Sequence, residues 1–260
     1  MGKEMQDQEG KRKEGKREEK KREEGEREEG IKQSSLFDFL GNNSPSSETP
    51  SDKAGQVEFS SGETVQEKNK EELLQEWKAA CLECEECSLH QQRSQAVFGV
   101  GSPRALMMLV GEAPGAEEDK QGLPFVGNAG QLLDNILKAI GLSREEVYIT
   151  NVVKCRPPGN RLPQTREVKQ CSVYWKKQLE IISPQIVICL GSLSAKTLIH
   201  PEARITKIRG EWRDIDSRWY LPTFHPAALL RDVKKKKPVW EDFQKVQAYY
   251  QELKKNFGNA

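Results

Sequence analysis

The feature that most constrains the fold is an apolar run, Ala105-Leu-Met-Met-Leu-Val110, that empties directly into Gly111-Glu-Ala-Pro-Gly-Ala-Glu-Glu-Asp-Lys-Gln-Gly-Leu-Pro-Phe-Val-Gly-Asn128. An unbroken apolar stretch of that length, bounded by turn residues, reads as a strand buried on both faces. The glycines and prolines after it are expected to interrupt regular structure for about a turn and a half. The loop holds a carboxylate at the strand exit (Glu112), an acidic cluster (Glu117, Glu118, Asp119) and one aromatic, Phe125. Ligands of open α/β sheets bind just beyond the carboxyl ends of the strands, so chemistry is expected here.

The flanking pattern alternates. Glu71 to about Cys84 has helical periodicity, with Leu73, Leu74, Trp77, Ala80 and Cys81 on one face. Ala96–Gly101 reads as an edge segment. Gly130–Gly141 reads as an amphipathic helix through Leu132, Leu133, Ile136, Leu137 and Ile140, with Gly141 in the helix-ending position. Val147–Val153 is a second buried strand. Thr165–Ile182 is a second helix, with Thr165 as its N-cap. Gln185–Leu190 is a third strand, after which Gly191-Ser192 opens a short helix. Trp219–Phe224 is a fourth strand and runs into His225-Pro226. Val239–Lys255 is a final helix with Trp240, Phe243, Val246, Tyr250 and Leu253 inward. Strands alternating with helices imply an α/β fold, a parallel sheet covered on both faces.

Composition matters where it is uneven. Of 260 residues, 35% are hydrophobic and 31% charged, too polar for one uniform globule. Residues 1–70 hold 14 basic and 17 acidic side chains, net −3, which leaves net +4 for the rest. Residues 1–32 are almost wholly Lys, Arg, Glu, Gln and Gly, and cannot bury enough apolar surface to offset their ordering entropy. A disordered charged tail and linker is therefore expected over 1–70, and a folded domain over 71–257. No apolar run approaches the roughly 20 residues of a membrane helix. The charged N-terminus does not read as a signal peptide. A soluble, intracellular, cytoplasmic protein is expected, nucleoid-associated and monomeric.

The six cysteines of such a chain point to metal or redox chemistry. Cys84 and Cys87 form a CxxC pincer; Cys155 and Cys171 supply two more thiols. Four thiolates suit zinc or an iron–sulfur cluster, and spacing alone does not choose. Cys189 lies among Ile and Val and reads as core. Cys81 shares the apolar helix face but makes a second CxxC with Cys84, so it is the alternate ligand.

GEAPGAEEDKQGLPFVGNAGQLLD, ITNVVKCRPPGNR and FHPAALLRD, together with the four cysteines, resemble the family 4 iron–sulfur uracil-DNA glycosylases. The resemblance covers residues 77 to 250 and none of 1–70. It implies a three-layer α/β/α sandwich around a four-stranded parallel sheet. It implies a structural 4Fe–4S cluster on Cys84, Cys87, Cys155 and Cys171. It also implies excision of uracil from DNA by cleavage of the N-glycosidic bond, the first step of base excision repair.

Such an enzyme must extrude the base into a pocket. Phe125 is the expected stacking wall, with Gly111 and Gly115 in the same motif. Asn151, at the exit of the second strand, offers the donor and acceptor of an amide as base reader. His225 is placed to stabilise the departing uracil O2, as a neutral or a charged imidazole. Glu112 lines the site by resemblance; Glu118 and Asn160 are the candidates for placing water. No lysine is placed as a Schiff-base nucleophile, so monofunctional chemistry is expected. Ser192 at a helix start, Leu229 or Leu230 as the residue filling the vacated stack, and Arg231 with Lys234–Lys237 are the expected DNA contacts, with Arg156, Arg161 and Arg209 added to that face. His90 and His200 read as plain surface residues. In the tail, Gln33, Leu36, Phe39 and Leu40 resemble the box that recruits repair proteins to the PCNA sliding clamp.

Overall fold

Residues 69–258 are described by the structure, a computed structural model. The charged segment and the clamp-box residues Gln33, Leu36, Phe39 and Leu40 lie outside the described residues. Helix α1, Lys70–Leu82, begins at Asn69, whose Oδ1 accepts from Glu72 N at 2.9 Å while Glu72 Oε2 accepts from Asn69 N at 3.3 Å. A reciprocal cap of this kind satisfies two otherwise orphaned donors. Strand β1 is Val100–Gly101 and β2 is Met107–Gly111. Helices α2 (Ala116–Gln121) and α3 (Asn128–Ala139) follow, then β3 (Tyr148–Asn151). Helix α4 (Thr165–Ile182), β4 (Ile186–Leu190), α5 (Ser192–Leu198) and α6 (Ile205–Ile208) come next. The chain closes with β5 (Arg213–Ile215), β6 (Arg218–Thr223), α7 (Pro226–Arg231) and α8 (Lys236–Gly258).

The strands form one sheet in the order β1-β3-β2-β4-β6-β5. The inner four, β3-β2-β4-β6, are parallel, as expected. The two edges are antiparallel additions that the sequence pattern did not announce beyond the segment at Ala96–Gly101. The β5–β6 hairpin turns on Asp216 and Ser217, both left-handed (φ 51 and 59), the geometry that matches strand twist in a two-residue connection. Alternation sorts the central strands into two cores. Met108, Val110, Val187 and Cys189 face α1, α4 and α5, whereas Met107, Leu109, Ile186 and Ile188 face α3, α7 and α8. The result is a three-layer α/β/α sandwich. Among the described residues, no helix is long and apolar enough to cross a membrane.

Three local expectations are corrected. The loop after β2 is not irregular throughout: α2 forms inside it, with Glu117, Glu118 and Asp119 in its first turn and Gly122 ending it at φ 69. Acidic side chains favour that end of a helix, which the Gly/Pro content obscured. The N-cap of α4 is Gln164, not Thr165, and Gln164 N bonds Glu167 Oε2 at 2.7 Å. Trp240 is exposed, and Val239 takes the inward place beside Phe243, Val246, Tyr250 and Leu253.

Arg209 belongs to this scaffold rather than to a DNA-facing surface. Its Nη2 donates to Asp242 Oδ1 at 2.7 Å and its Nε to Asp242 Oδ2 at 3.1 Å, and Nη2 also bonds Pro238 O. Thr223 Oγ1, in β6, donates to the same carboxylate at 2.6 Å. Asp242 is buried, so the pair ties α8 to the strand that carries the next residues of the site. Removing one partner of a buried pair strands the other charge, and Arg209→Met is expected to lower unfolding free energy by about 3–5 kcal/mol. Urea denaturation measures it; a change under about 1 kcal/mol would show the pair to be dispensable.

Candidate active site

Parallel register brings the functional ends together. Gly111 pairs with Asn151 across β2 and β3, and Leu190 pairs with Thr223 across β4 and β6, two residues before His225. Beyond these ends lies a cavity of about 510 Å³, lined by residues that include Glu112, Gly115, Glu118, Phe125, Asn151, Asn160 and His225. The aromatic, the amide and the imidazole read from separate motifs thus share one chamber. Its rim carries Arg161, Leu162 and Arg231.

Phe125 is buried and left-handed at φ 53, a backbone state costly for a bulky residue. Its ring stacks on the His225 ring, centroids 5.4 Å apart and planes inclined by 28°. Gly111 makes this possible: a Cβ there would lie 2.6 Å from Phe125 Cζ and would also strike Asn151 Oδ1. Gly130 does the same from below, where any Cβ would collide with Phe125 O. Asn151 is buried, and its Oδ1 has no hydrogen-bond partner within the protein. An orphaned buried acceptor costs about 1–3 kcal/mol, which a ligand donor recovers.

His225 caps α7, its Nδ1 accepting from Ala227 N at 3.2 Å. An accepting Nδ1 carries no proton, so the neutral ring holds its proton on Nε2. Burial, and next the Arg231 guanidinium, push the imidazole pKa down to about 4, against a weaker upward pull from Glu118. Of the two states the sequence left open, the accepting Nδ1 and the lowered pKa both favour the neutral ring. Burial raises the Glu112 pKa, and Arg231 opposes that rise.

Glu118 lines the cavity but is heavily engaged. Oε1 accepts from Val126 N (3.0 Å) and Gly127 N (2.9 Å), and Oε2 from Gly115 N (3.1 Å). Asn160, also left-handed, accepts at Oδ1 from Arg156 Nε at 2.7 Å. Arg161 pairs bidentately with Glu167 at 2.9 and 2.7 Å. Asp119 is not a solvated loop residue: it is buried and accepts from Ser94 N at 3.0 Å. Lys120 pairs with Glu117 at 3.0 Å and is not among the cavity-lining residues. Ser192 is exposed at the start of α5, also outside that lining.

Leu229 is corrected. It is buried in the core under α7, whereas Leu230 is 51% exposed, so of the two only Leu230 is free to enter a duplex. Helical spacing cannot tell which of two adjacent leucines faces out. Arg144 was missed altogether. Its Nη1 donates to Phe125 O at 2.7 Å and to Asp134 at 3.0 Å, and its Nη2 to Pro124 O at 2.5 Å. Nothing in a lone arginine after a helix signals that it holds a loop nineteen residues away in sequence.

A second, smaller chamber on the α1/α4 side is lined by Cys81, Cys84, Cys87, Cys155 and Cys171 with His90, Arg93 and Lys154. His90 is therefore not a plain surface residue; its Nδ1 lies 2.7 Å from Cys87 O. Arg93 Nη1 donates to Cys155 Sγ at 3.1 Å and Lys154 N to Cys171 Sγ at 3.2 Å. Burial pushes the Cys81 and Cys171 thiols up to about 12. A coordinated metal reverses that tendency, and N–H groups aimed at sulfur are what thiolate-bound clusters use. In chemistry, though not in spacing, five thiols lining one chamber are the donor type such a group takes. Among the described residues no three His, Cys, Asp or Glu side chains form a group able to hold a metal ion. Cys189 is buried in β4, as expected for a core thiol.

A sequence model of the uracil DNA glycosylase superfamily matches residues 98–254. Three relatives are each described as a type-4 uracil-DNA glycosylase. The one from Sulfurisphaera tokodaii is 45% identical over 66% of this chain and 83% of its own. Those from Archaeoglobus fulgidus and Thermotoga maritima are 41% and 40% identical, over 64% and 69% of this chain and 87% and 96% of theirs. The chain belongs to the uracil DNA glycosylase superfamily and, within it, to the type-4 uracil-DNA glycosylases.

The His225 geometry has a measurable consequence. Heteronuclear NMR of the ring nitrogens is expected to show the Nε2–H tautomer, unchanged from pH 8 down to about 5. Its folded pKa lies below the unfolded value of 6.5, so the unfolded chain binds the proton more readily, and this group erodes stability as pH falls from about 6.5 towards 4. A titration midpoint near 6.5 would contradict the assignment.

Proposed function

We propose that this protein excises uracil from DNA in base excision repair, as a monofunctional glycosylase that leaves an abasic site. The observation that carries the reading is the orphaned Asn151 Oδ1, buried in the wall of a cavity that also holds an aromatic face and a neutral imidazole donor. An extruded uracil stacks on Phe125. Its N3–H donates to Asn151 Oδ1 and its O4 accepts from the amide nitrogen. Cytosine turns both contacts into like-with-like pairs, because its N3 accepts and its exocyclic amine donates, and such mismatches are strongly rejected in a buried site.

The reaction breaks the C1′–N1 bond, and its electron pair leaves with the base. His225 Nε2–H donates to O2 as negative charge develops there, a contact stronger in the transition state than in the bound substrate. The Glu112 carboxylate faces the cationic sugar and orients the water that adds to C1′. Glu118 and Asn160 act mainly by shaping the loops that bound this water. Leu230 fills the gap in the stack, and Arg231 with the lysines of 234–237 contacts phosphates. Ser192 supports the phosphate grip from the neighbouring helix start.

Cys84, Cys87, Cys155 and Cys171 hold a 4Fe–4S cluster. When bound, it supplies a structural tie and no step of glycosidic cleavage. Cys81, at the same chamber, stays a core thiol. Iron analysis is expected to give about four irons per chain, retained in Cys81→Ala and lost when any of the four is replaced. Zinc in place of iron would reject this assignment. Gln33, Leu36, Phe39 and Leu40 dock a sliding clamp; a pull-down is expected to lose PCNA when Leu36 and Phe39 are changed to Ala, and equal retention would reject the docking.

The decisive assay uses a uracil-containing oligonucleotide followed by alkali. Wild type is expected to yield strand breaks only after alkali. His225→Ala should lower kcat about 10²–10³-fold, the scale for removing one transition-state donor. Asn151→Ala should lower kcat/KM by a similar factor. No product from the wild type at any ionic strength would leave a DNA-binding module in its place.

A further inference from the structure

Between the two chambers lies a buried ammonium that no step above employs. Lys154 is 1% exposed, among the largest fully buried side chains of the described residues. Its Nζ donates to Thr150 Oγ1 at 2.5 Å, to the backbone oxygen of Asn151 at 2.9 Å and to Gln178 Oε1 at 2.8 Å. All three donors of the ammonium are thereby used. The acceptors are themselves fixed: Thr150 Oγ1 lies 2.9 Å from Phe98 O and 3.0 Å from Gln178 Oε1, and Gln178 Nε2 donates to Phe98 O at 2.8 Å. Lys154 also lines the cysteine chamber, beside Cys155.

We propose that Lys154 is a positioning residue for base recognition, locking the peptide of Asn151 so that its side-chain amide meets the base at one fixed orientation. The inference rests on the uracil-excising reading and deepens it.

Asn151 is the last residue of β3. Its neighbours Val152 and Val153 still donate to Gly111 O and Glu112 O, both at 3.0 Å. The Asn151 carbonyl points the other way, into the protein, and the lysine holds it there. The same ammonium grips the side chain of Thr150, so two consecutive residues at the strand exit are pinned from one point. Rotation of that peptide swings the Asn151 side chain, and misplacement by about 1 Å costs up to about 10²-fold in rate. A buried ammonium is expensive unless its hydrogen bonds are complete. An apolar residue of similar volume would fill the space at less cost, so stability alone does not call for a lysine here. Lys154 thus touches both sites, bonding the Asn151 carbonyl and lining the cysteine chamber.

The test compares Lys154→Met, close in volume, with wild type and with the pair Thr150→Val and Thr150→Ser. Uracil excision by wild type is measured first; its absence is failure of the functional reading, whatever the variants do. With wild type active, Lys154→Met and Thr150→Val are expected to lower kcat about tenfold with KM within about twofold, and Thr150→Ser to restore kcat. Hydrogen exchange at Val152 and Val153 should quicken about tenfold in the two impaired variants, with iron content and the rest of the exchange map unchanged. A folded Lys154→Met with wild-type kcat and exchange would overturn the inference. Should Lys154→Met fail to fold or lose iron, the threonine pair decides: equal kcat in Thr150→Val and Thr150→Ser overturns it.

Discussion

The site depends on holding Phe125 in a backbone conformation it would not choose. A left-handed non-glycine residue costs on the order of 1–3 kcal/mol, and the surrounding structure must over-determine it. Here the constraint comes from both sides of the residue. Arg144 grips the carbonyls of Pro124 and Phe125, and Glu118 grips the amides of Val126 and Gly127. Charged partners make such hydrogen bonds roughly twice as strong as neutral ones. Gly130 lets helix α3 start directly beneath the Phe125 carbonyl, and Gly111 leaves room for the ring above the strand end. A glutamate from the acidic cluster is thus spent on the architecture of the loop, and its place in the cavity wall follows from that task.

What was legible in the chain follows the same division. Strand and helix positions were readable because burial on both faces of a parallel sheet leaves continuous apolar runs such as 105–110 and 186–190, and because α3 and α8 keep a 3.6-residue rhythm. Phe125, Asn151 and His225 were readable because each is out of character locally: an aromatic in a Gly/Pro loop, an amide ending an apolar strand, a histidine at a strand exit. The edge hairpin β5–β6 was hidden, since Asp216-Ser217 lacks the glycine that usually marks such a turn. Arg144, Arg93 and Lys154 were hidden for a different reason. Their importance comes entirely from long-range partners, and a basic residue looks the same in sequence whether it faces water or holds a loop. The same blindness put Arg209 on the wrong surface and left Leu229 and Leu230 undivided.

The two chambers are joined by very little chain. Asn151 ends β3 and Cys155 lines the cysteine chamber, so a single four-residue step connects the base reader to the thiols. Chains bend sharply where strands end, and such bends are soft unless cross-tied. In this protein the step is anchored at every point. The amides of Val152 and Val153 continue the ladder to the neighbouring motif, Lys154 N meets Cys171 Sγ of α4, and Cys155 Sγ meets Arg93. A tie at the cysteines therefore restrains the reader directly, without any transmission through the core. Under the proposed assignment, a cluster on these cysteines would brace that strand end without entering the chemistry of the pocket.

Burial first, and nearby positive charge second, keep the imidazole neutral. The N-terminus of α7 and Arg231 both present positive charge to His225, and Nδ1 already accepts Ala227 N–H. A proton on that nitrogen would break the cap and place two cations side by side in a poorly solvated site. The cationic ring would also attract the substrate carbonyl before any bond had broken, spending on the ground state what should be reserved for the transition state. A neutral donor gains most of its interaction energy only as the departing ring becomes anionic. In the proposed excision the helix end and Arg231 would add to that late gain, because both present positive potential at His225. Glu112 lines the same cavity, its affinity for protons raised by burial and lowered by Arg231. Arg231 lies within electrostatic reach of both groups and lowers the proton affinity of each, so one guanidinium favours an uncharged histidine and an ionised glutamate in the same cavity.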